Sequence, residues 1–258
     1  MHLPLQPFPK AHVYGLVNAS IHHQILYFMK RICLFLLLLP FSTLWAQNQK
    51  NYEVKNFQAI DFAASGQLIL QEGSSEGLRI EASEEVDWED LEVEVRNKSL
   101  HIGWKRGNRI FRNRMPEMKY YVTFKKLEAL AVSGAAKLLC ESTIRADKFA
   151  LAASGSFKGE LLVEADILSV SISGSGNITV RGKAKDQVLA ISGSGKYYAF
   201  ELDSKSAKVA ISGSGTAEIK ANDALQVRSS GSGRIRYKGN PSKVDIVNSG
   251  SSKVSKKQ

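Results

Sequence analysis

Residues 169–180 read SVSISGSGNITV. Val170 and Ile172 alternate with Ser169 and Ser171 ahead of a Ser-Gly-Ser-Gly run at 173–176, and Ile178 and Val180 alternate with Asn177 and Thr179 behind it. A period of two on both sides describes two half-buried strands. The glycines between them turn the chain, because only Gly takes up positive φ freely. The same four residues recur at Ser192–Gly195, Ser212–Gly215 and Ser230–Gly233. Shorter copies stand at Ser65-Gly66, Ser133-Gly134, Ser154-Gly155 and Ser249-Gly250. From residue 134 the first glycines fall at 134, 155, 174, 193, 213, 231 and 250, a step of 18 to 21 residues. A fixed period of this length marks a stacked array in which each repeat buries its apolar face against its neighbours.

Aligned on the first serine, the positions one, three and five places earlier are mostly apolar: Ile172, Val170 and Leu168, then Ile211, Val209 and Ala207. A second alternating strand follows each turn, with Ile178 and Val180, then Ala217 and Ile219. A second corner closes the unit, often at an aspartate such as Asp147, Asp166, Asp186 or Asp223. An antiparallel meander also accommodates this unit, but recurrence of one turn at one phase favours a β-solenoid with like residues stacked about 4.8 Å apart. The expected fold is therefore all-β, a β-solenoid of about 19-residue repeats. The strands between Phe57 and Phe124 read as wider, irregular coils that cap it, since a solenoid must hide its strand edges. Ser251, Ser252, Lys253 and Lys256 at the other end read as a solvated rung with a frayed tail.

Met29-Lys30-Arg31, the apolar run Ile32–Leu39 and then Leu44-Trp45-Ala46 have the form of a secretory signal. The reading divides the chain into a 1–28 extension or misassigned start, a signal at 29–46 and one solenoid domain at 47–255. The apolar run is too short to serve well as a membrane span, and Cys33 stands at its start rather than at the cleavage point, which argues against a lipid anchor. An exported protein in the periplasm, at the outer-membrane surface or outside the cell follows. The chain carries 35 Lys+Arg against 25 Asp+Glu, a net charge of +10, of which Lys10, Lys30 and Arg31 precede the expected cleavage point. The remaining excess is interspersed. It permits contact with anionic envelope glycans or lipids and does not call for nucleic acid.

Functional motifs are sparse. The densest basic stretch, Lys105–Arg114, offers Arg106, Arg109, Arg112 and Arg114 as a candidate contact for a phosphate or acidic sugar. The corner aspartates have lysine neighbours, Lys148 and Lys185, and read as corner chemistry rather than as a calcium ladder. His101 is the single histidine after residue 46 and reads as an exposed strand residue. Cys140 is at an inward phase and reads as an inert thiol. No Ser-His-Asp set, metal-ligand spacing, phosphate loop or cofactor motif can be assembled, so no catalytic, cofactor or metal residues are expected. Tyr120-Tyr121 and Tyr197-Tyr198 each put one ring inward and one outward.

The segments FQAIDFAASGQLIL, YYVTFKKLEALAVSGAAKL, SVSISGSGNITVRG and LAISGSGKYYA, behind a secretory signal, resemble the autotransporter adhesin head GIN domain family of Gram-negative bacteria across about 57–255. The resemblance implies a right-handed β-helix-like fold and export to the envelope, and offers no catalytic residues to carry over. The function expected is an exported, non-enzymatic adhesin or a binder of envelope glycans or proteins. A periplasmic structural or stress-related scaffold is the alternative, and a glycan-active enzyme is the third reading.

Overall fold

The computed structural model describes residues 48–105 and 116–258. The expected signal and the 1–28 extension lie outside them. Strands β1 (Gln49–Tyr52), β2 (Ala59–Ala63), β3 (Gly66–Glu72), β4 (Gly77–Ala82), β5 (Leu91–Arg96), β6 (Ser99–Trp104) and β7 (Met118–Phe124) precede the regular repeats. The repeats comprise β8 (Ala129–Gly174), β9 (Asn177–Gly193), β10 (Lys196–Ala199), β11 (Leu202–Gly213), β12 (Thr216–Lys220), β13 (Ala224–Gly231), β14 (Arg234–Lys238), β15 (Lys243–Gly250) and β16 (Lys253–Lys256). They form the β-solenoid that the periodicity implies. One sheet face stacks β11, β13 and β15 in parallel, and another stacks β10, β12, β14 and β16. Residues at one repeat phase lie in register: Ile191 pairs with Ile172 and Ile211.

β8 and β9 run long because parallel pairing passes through the second corner, where Ala165 pairs with Ala184 and Ile167 with Asp186. At the Ser-Gly-Ser-Gly turns the strands end, but backbone bonds still join the coils. The Ser194 amide donates to the Gly174 carbonyl at 2.9 Å, Ser214 to Gly193 at 2.9 Å and Ser232 to Gly213 at 2.9 Å. Coil-to-coil pairing thus continues around the turn. Gly174, Gly193, Gly213 and Gly231 hold φ of 109° to 113°. A methyl group on any of them would stand 2.6 to 2.9 Å from the carbonyl oxygen of the glycine one coil below. The column therefore demands glycine twice, once for φ and once for space. Gly134 and Gly155, whose turns lack the second glycine, adopt the same positive φ.

The second glycine has a different reason. A methyl at Gly195, Gly215 or Gly233 would meet Cγ2 of Ile172, Ile191 or Ile211 in the coil below, at 2.5, 2.7 and 3.0 Å. The isoleucine fills the corner space that the glycine leaves. The exceptions obey the same volume rule. Ala153 replaces the isoleucine in its coil, and the ring of Phe157 fills that corner beneath Gly176. Ser229 replaces it in another, and above it Ser252 replaces the glycine; the two hydroxyls are 2.6 Å apart and Ser252 Oγ accepts the Gly233 amide at 2.9 Å. Ser229→Ile alone is expected to cost about 1–3 kcal/mol by overpacking. Adding Ser252→Gly restores the common pattern, so a double-mutant cycle in urea should return a favourable coupling of about 1–3 kcal/mol. Additivity of the two substitutions would refute the volume rule.

The amino-terminal coils depart from the expectation of successive capping turns. β2 and β3 form a regular rung: on one side β2 pairs with β6 and β3 with β7, and on the other both pair with β8, all in parallel. The chain leaves this rung, runs antiparallel along the edge as β4 and β5, then returns to build β6 and β7 beneath a rung already made. Antiparallel β1, β4 and β5 are the cap. A tight turn at Asn97 and Lys98, both at positive φ, joins β5 to β6. Ser65-Gly66 is also out of phase with the copy it resembles. Gly66 pairs with Ala136, not with Gly134, and so stands in the second-glycine column. At the opposite end the polar tail is ordered into a rung, β15 and β16, that buries Ser252 and leaves Val244 and Ile246 exposed.

One apolar core runs through the stack from Val54 to Ile235. It contains one polar knot. Gln187 occupies the inward phase held by Leu168 and Ala207 in the coils on either side. The corner after β12 is two residues shorter than the one before it, since Ile219 to Leu225 spans what Ala199 to Ala207 spans one coil earlier. The carbonyl of Lys220 accepts from Gln187 Nε2 at 2.8 Å and from the Ser204 hydroxyl. Tyr197, fully buried, points its hydroxyl at Gln187 Oε1, 3.4 Å away. Burial holds this phenol and that of Tyr120 protonated far above the ordinary tyrosine range.

Candidate functional site

Where inward phases make the core, the outward phases make surfaces of uniform chemistry. Outside β8, β9 and β11, the column three residues before the first glycine reads Ala131, Ala152, Ser171, Ala190 and Ala210. The adjoining column holds Ala129, Ala150, Ser169 and Val188, and in β11 Lys208. The alanines and serines are too small to screen the sheet, so the face is flat there. Its serine border is Ser173, Ser192, Ser212, Ser230 and Ser249, the first residues of the turns. Between border and face runs a trough of about 520 Å³ lined by Ser171, Ala190, Ala210, Ser192 and Ser212. Arg228, bonded to Asp245 at 2.7 Å, and Val247 close one end. Chemically the face offers apolar contact at small residues and hydroxyl hydrogen bonds along one margin. The offer repeats over the rungs of β8, β9 and β11 and ends where Arg228 and Val247 take the column.

Several titratable groups on other columns stand in pairs. Arg181 lies between Glu160 (3.2 Å) and Glu201 (2.9 Å), Arg145 between Glu72 (3.6 Å) and Glu164 (3.2 Å), and Lys185 beside Asp166 (2.6 Å). Of the corner aspartates, Asp166 pairs with Lys185 and Asp186 accepts from the Ser206 hydroxyl. Hydrogen bonds from Arg228 and Gln226 hold the Asp245 carboxyl below the usual range. Among the described residues no three His, Cys, Asp or Glu side chains converge as a metal would require.

Arg106, Arg109, Arg112 and Arg114 lie outside the described residues, between the end of β6 and the start of β7. His101 differs from the sequence reading. It is half-buried, with Nδ1 3.0 Å from Oδ2 of Asp61 on the neighbouring rung. The two are 40 residues apart in sequence and meet only because β2 stacks on β6. Cys140 is half-buried, donates its thiol to the Ser142 carbonyl at 3.1 Å, and is held in the thiol form by desolvation. Tyr121 is the outward member of its pair. It donates to Glu81 at 3.0 Å and stacks under Arg79 at 4.1 Å, so its ring packs on a neighbouring strand rather than facing solvent alone.

A stack of parallel coils of this kind defines the class of β-solenoid repeat proteins. Within it, residues 56–241 match the model of the family described as "Putative auto-transporter adhesin, head GIN domain", and the chain belongs to that family. Solved structures share the fold. A "putative adhesin" of Bacteroides fragilis superposes with a TM-score of 0.74 at 21% identity, covering 81% of this chain and 95% of that one. A "putative lipid binding protein" of Parabacteroides distasonis gives 0.63 at 23% identity, covering 81% and 96%. A "putative adhesin" of Parabacteroides merdae gives 0.63 at 21%, covering 81% and 95%. No curated protein matches the sequence. Among the described residues no helix is long and apolar enough to cross a membrane.

Proposed function

We propose that this is an exported, non-enzymatic solenoid that binds cell-envelope or surface glycans by shallow, multivalent contact. The observation that carries the reading is the small-residue face and its serine border, repeated rung upon rung. Repetition of one weak site along a rigid rod raises avidity without any deep pocket, because each further contact is intramolecular once the first has formed. Family membership and adhesin-labelled structural neighbours support the same reading. By sequence alone, Arg106, Arg109, Arg112 and Arg114 belong to the proposal as an anion contact.

The test is a glycan and envelope-polymer array probed with the purified protein at low and physiological salt, with protease accessibility on intact cells read alongside. Selective, saturable binding together with cleavage on intact cells is the expected result. Replacing Ala190 and Ala210 by Glu, both exposed on the face, should abolish binding while leaving thermal unfolding in place. An array left blank by folded protein would overturn the reading.

A further inference from the structure

A second outer column differs in kind from the flat face. It lies just beyond the turn, at the first residue of the second strand in each coil. The register stacks Lys119 on Gln67, Gln67 on Lys137, Lys158 on Asn177, Asn177 on Lys196, Lys196 on Thr216, Thr216 on Arg234 and Arg234 on Lys253. Lys137 continues to Lys158, as the approach of Gly159 to Leu138 one position on requires. The column holds six cations and no carboxylate, and its other three members are Gln67, Asn177 and Thr216. All but Lys119 of the cations are exposed. None forms an ion pair among the described residues, whereas Arg145, Arg181, Lys185, Lys220, Arg228 and Arg236 on other columns all do. With strands about 4.8 Å apart, the line runs roughly 38 Å.

The two flanks of this line differ. On the turn side stands a ladder of exposed hydroxyls, Ser156, Ser175, Ser194, Ser214, Ser232 and Ser251, with no charge. On the far side, two residues along, the column is mixed: Glu160, Thr179, Tyr198, Glu218 and Arg236, with Glu160 paired to Arg181 and Glu218 to Arg236. Cations left unpaired in a row raise the local potential and attract a polyanion. The six cations stand in one line rather than spread over a face, a layout that matches a single anionic thread better than a broad anionic plane such as a membrane, or a duplex. The hydroxyl ladder offers that thread donors and acceptors at each rung, which suits a chain of sugar hydroxyls and ring oxygens.

We propose that Lys119, Lys137, Lys158, Lys196, Arg234 and Lys253, with the serine ladder beside them, form a binding track for a linear acidic polysaccharide laid along the solenoid axis. The track goes beyond the small-residue face in assigning a different surface and a charged ligand class, and either can fail alone. One variant replaces Lys137, Lys158, Lys196 and Arg234 by Gln. A control removes equal charge elsewhere by Lys125→Gln, Lys148→Gln, Lys205→Gln and Lys208→Gln, all exposed. The probes are oligogalacturonates of graded length, neutral dextran, and vesicles containing phosphatidylglycerol.

For wild type, affinity for oligogalacturonate should rise with chain length until the track is filled, and fall by about tenfold or more between 50 and 200 mM salt as released counterions lose their entropic advantage. The track variant should lose at least about tenfold in affinity, consistent with several charge contacts, while the control keeps most of it. Equal losses in track and control variants would reduce the effect to net charge and overturn the proposal. So would undiminished binding by the track variant with loss on replacing Arg106, Arg109, Arg112 and Arg114 by Ser. Retention on the vesicles with none on oligogalacturonate would overturn it in favour of a lipid surface. Binding of neutral glycans alone would overturn the track and leave the flat-face reading standing.

Discussion

Gly213→Ala should cost about 3–5 kcal/mol, adding the strain of a side chain at positive φ to the overpacking of a close backbone contact. The φ of Gly213 is 110°. A methyl there would lie 2.7 Å from the Gly193 carbonyl oxygen and 3.2 Å from the Gly193 nitrogen. Both are backbone atoms, so no rotamer change relieves the contact. The two coils must part, and parting them stretches the Ser214 amide from the Gly193 carbonyl. A loss of this size is a large share of the few kcal/mol by which a domain is stable. Because each rung is supported only by its neighbours, the damage should spread to the rungs beyond it. Hydrogen exchange should therefore show β13 to β16 losing protection before β8. Gly215→Ala is the internal comparison. It meets the Cγ2 of Ile191, a side chain that can move, and should cost about 1–3 kcal/mol. Ser214→Ala, exposed on the same turn, should stay within about 0.5 kcal/mol of wild type. Equal midpoints in urea for the two glycine variants would contradict the carbonyl-contact account of the column.

Gln187→Met should cost about 2–3 kcal/mol, although the substitution keeps length and adds hydrophobicity, because it strips partners from buried polar groups. The amide satisfies the Lys220 carbonyl and the Ser204 hydroxyl on one side and receives the Tyr197 hydroxyl on the other. With methionine in place, Ser204 still reaches the carbonyl, but the Tyr197 hydroxyl is left in an apolar interior without an acceptor. Tyr197→Phe in the Gln187→Met background should then recover part of the loss, whereas in wild type it should cost about 1 kcal/mol. That reversal of sign is the measurement to make, since a purely steric role for Gln187 would give the same effect of Tyr197→Phe in both backgrounds.

These two sites differ in how far they can be read without coordinates. The glycine column is legible because its cause is local and repeated: the same turn, an isoleucine before three of the four full Ser-Gly-Ser-Gly runs, and a step held to 18 to 21 residues. Gln187 is half legible. A polar residue at an inward phase can be seen by aligning it with Leu168 and Ala207, and the shortened step from Gly213 to Gly231 can be counted. What joins them, an inward carbonyl at Lys220, is a matter of where a shortened corner points. Asp61 and His101 are not legible as a pair at all. Their meeting depends on β6 sliding beneath β2, and nothing local in either strand records it. Ser65-Gly66 misleads for a related reason. Its two residues match the later turns, but parallel pairing with β8 sets the register two residues away from that match.

By itself, then, the amino-acid sequence determined the solenoid, its repeat length, the inward columns and the places where glycine is obligatory. Those properties follow from alternation and from turn chemistry, which act over a few residues and are written again in every coil. Only the tertiary structure decided the order in which the first rungs stack, the antiparallel cap, the polar knot around Gln187, and the division of the outside into a small-residue face and a line of unpaired cations. Those depend on which residues of different coils come to lie side by side. Register across a parallel stack is set by the sum of many rung contacts, so a lysine's neighbour about 4.8 Å away is a residue some twenty positions distant.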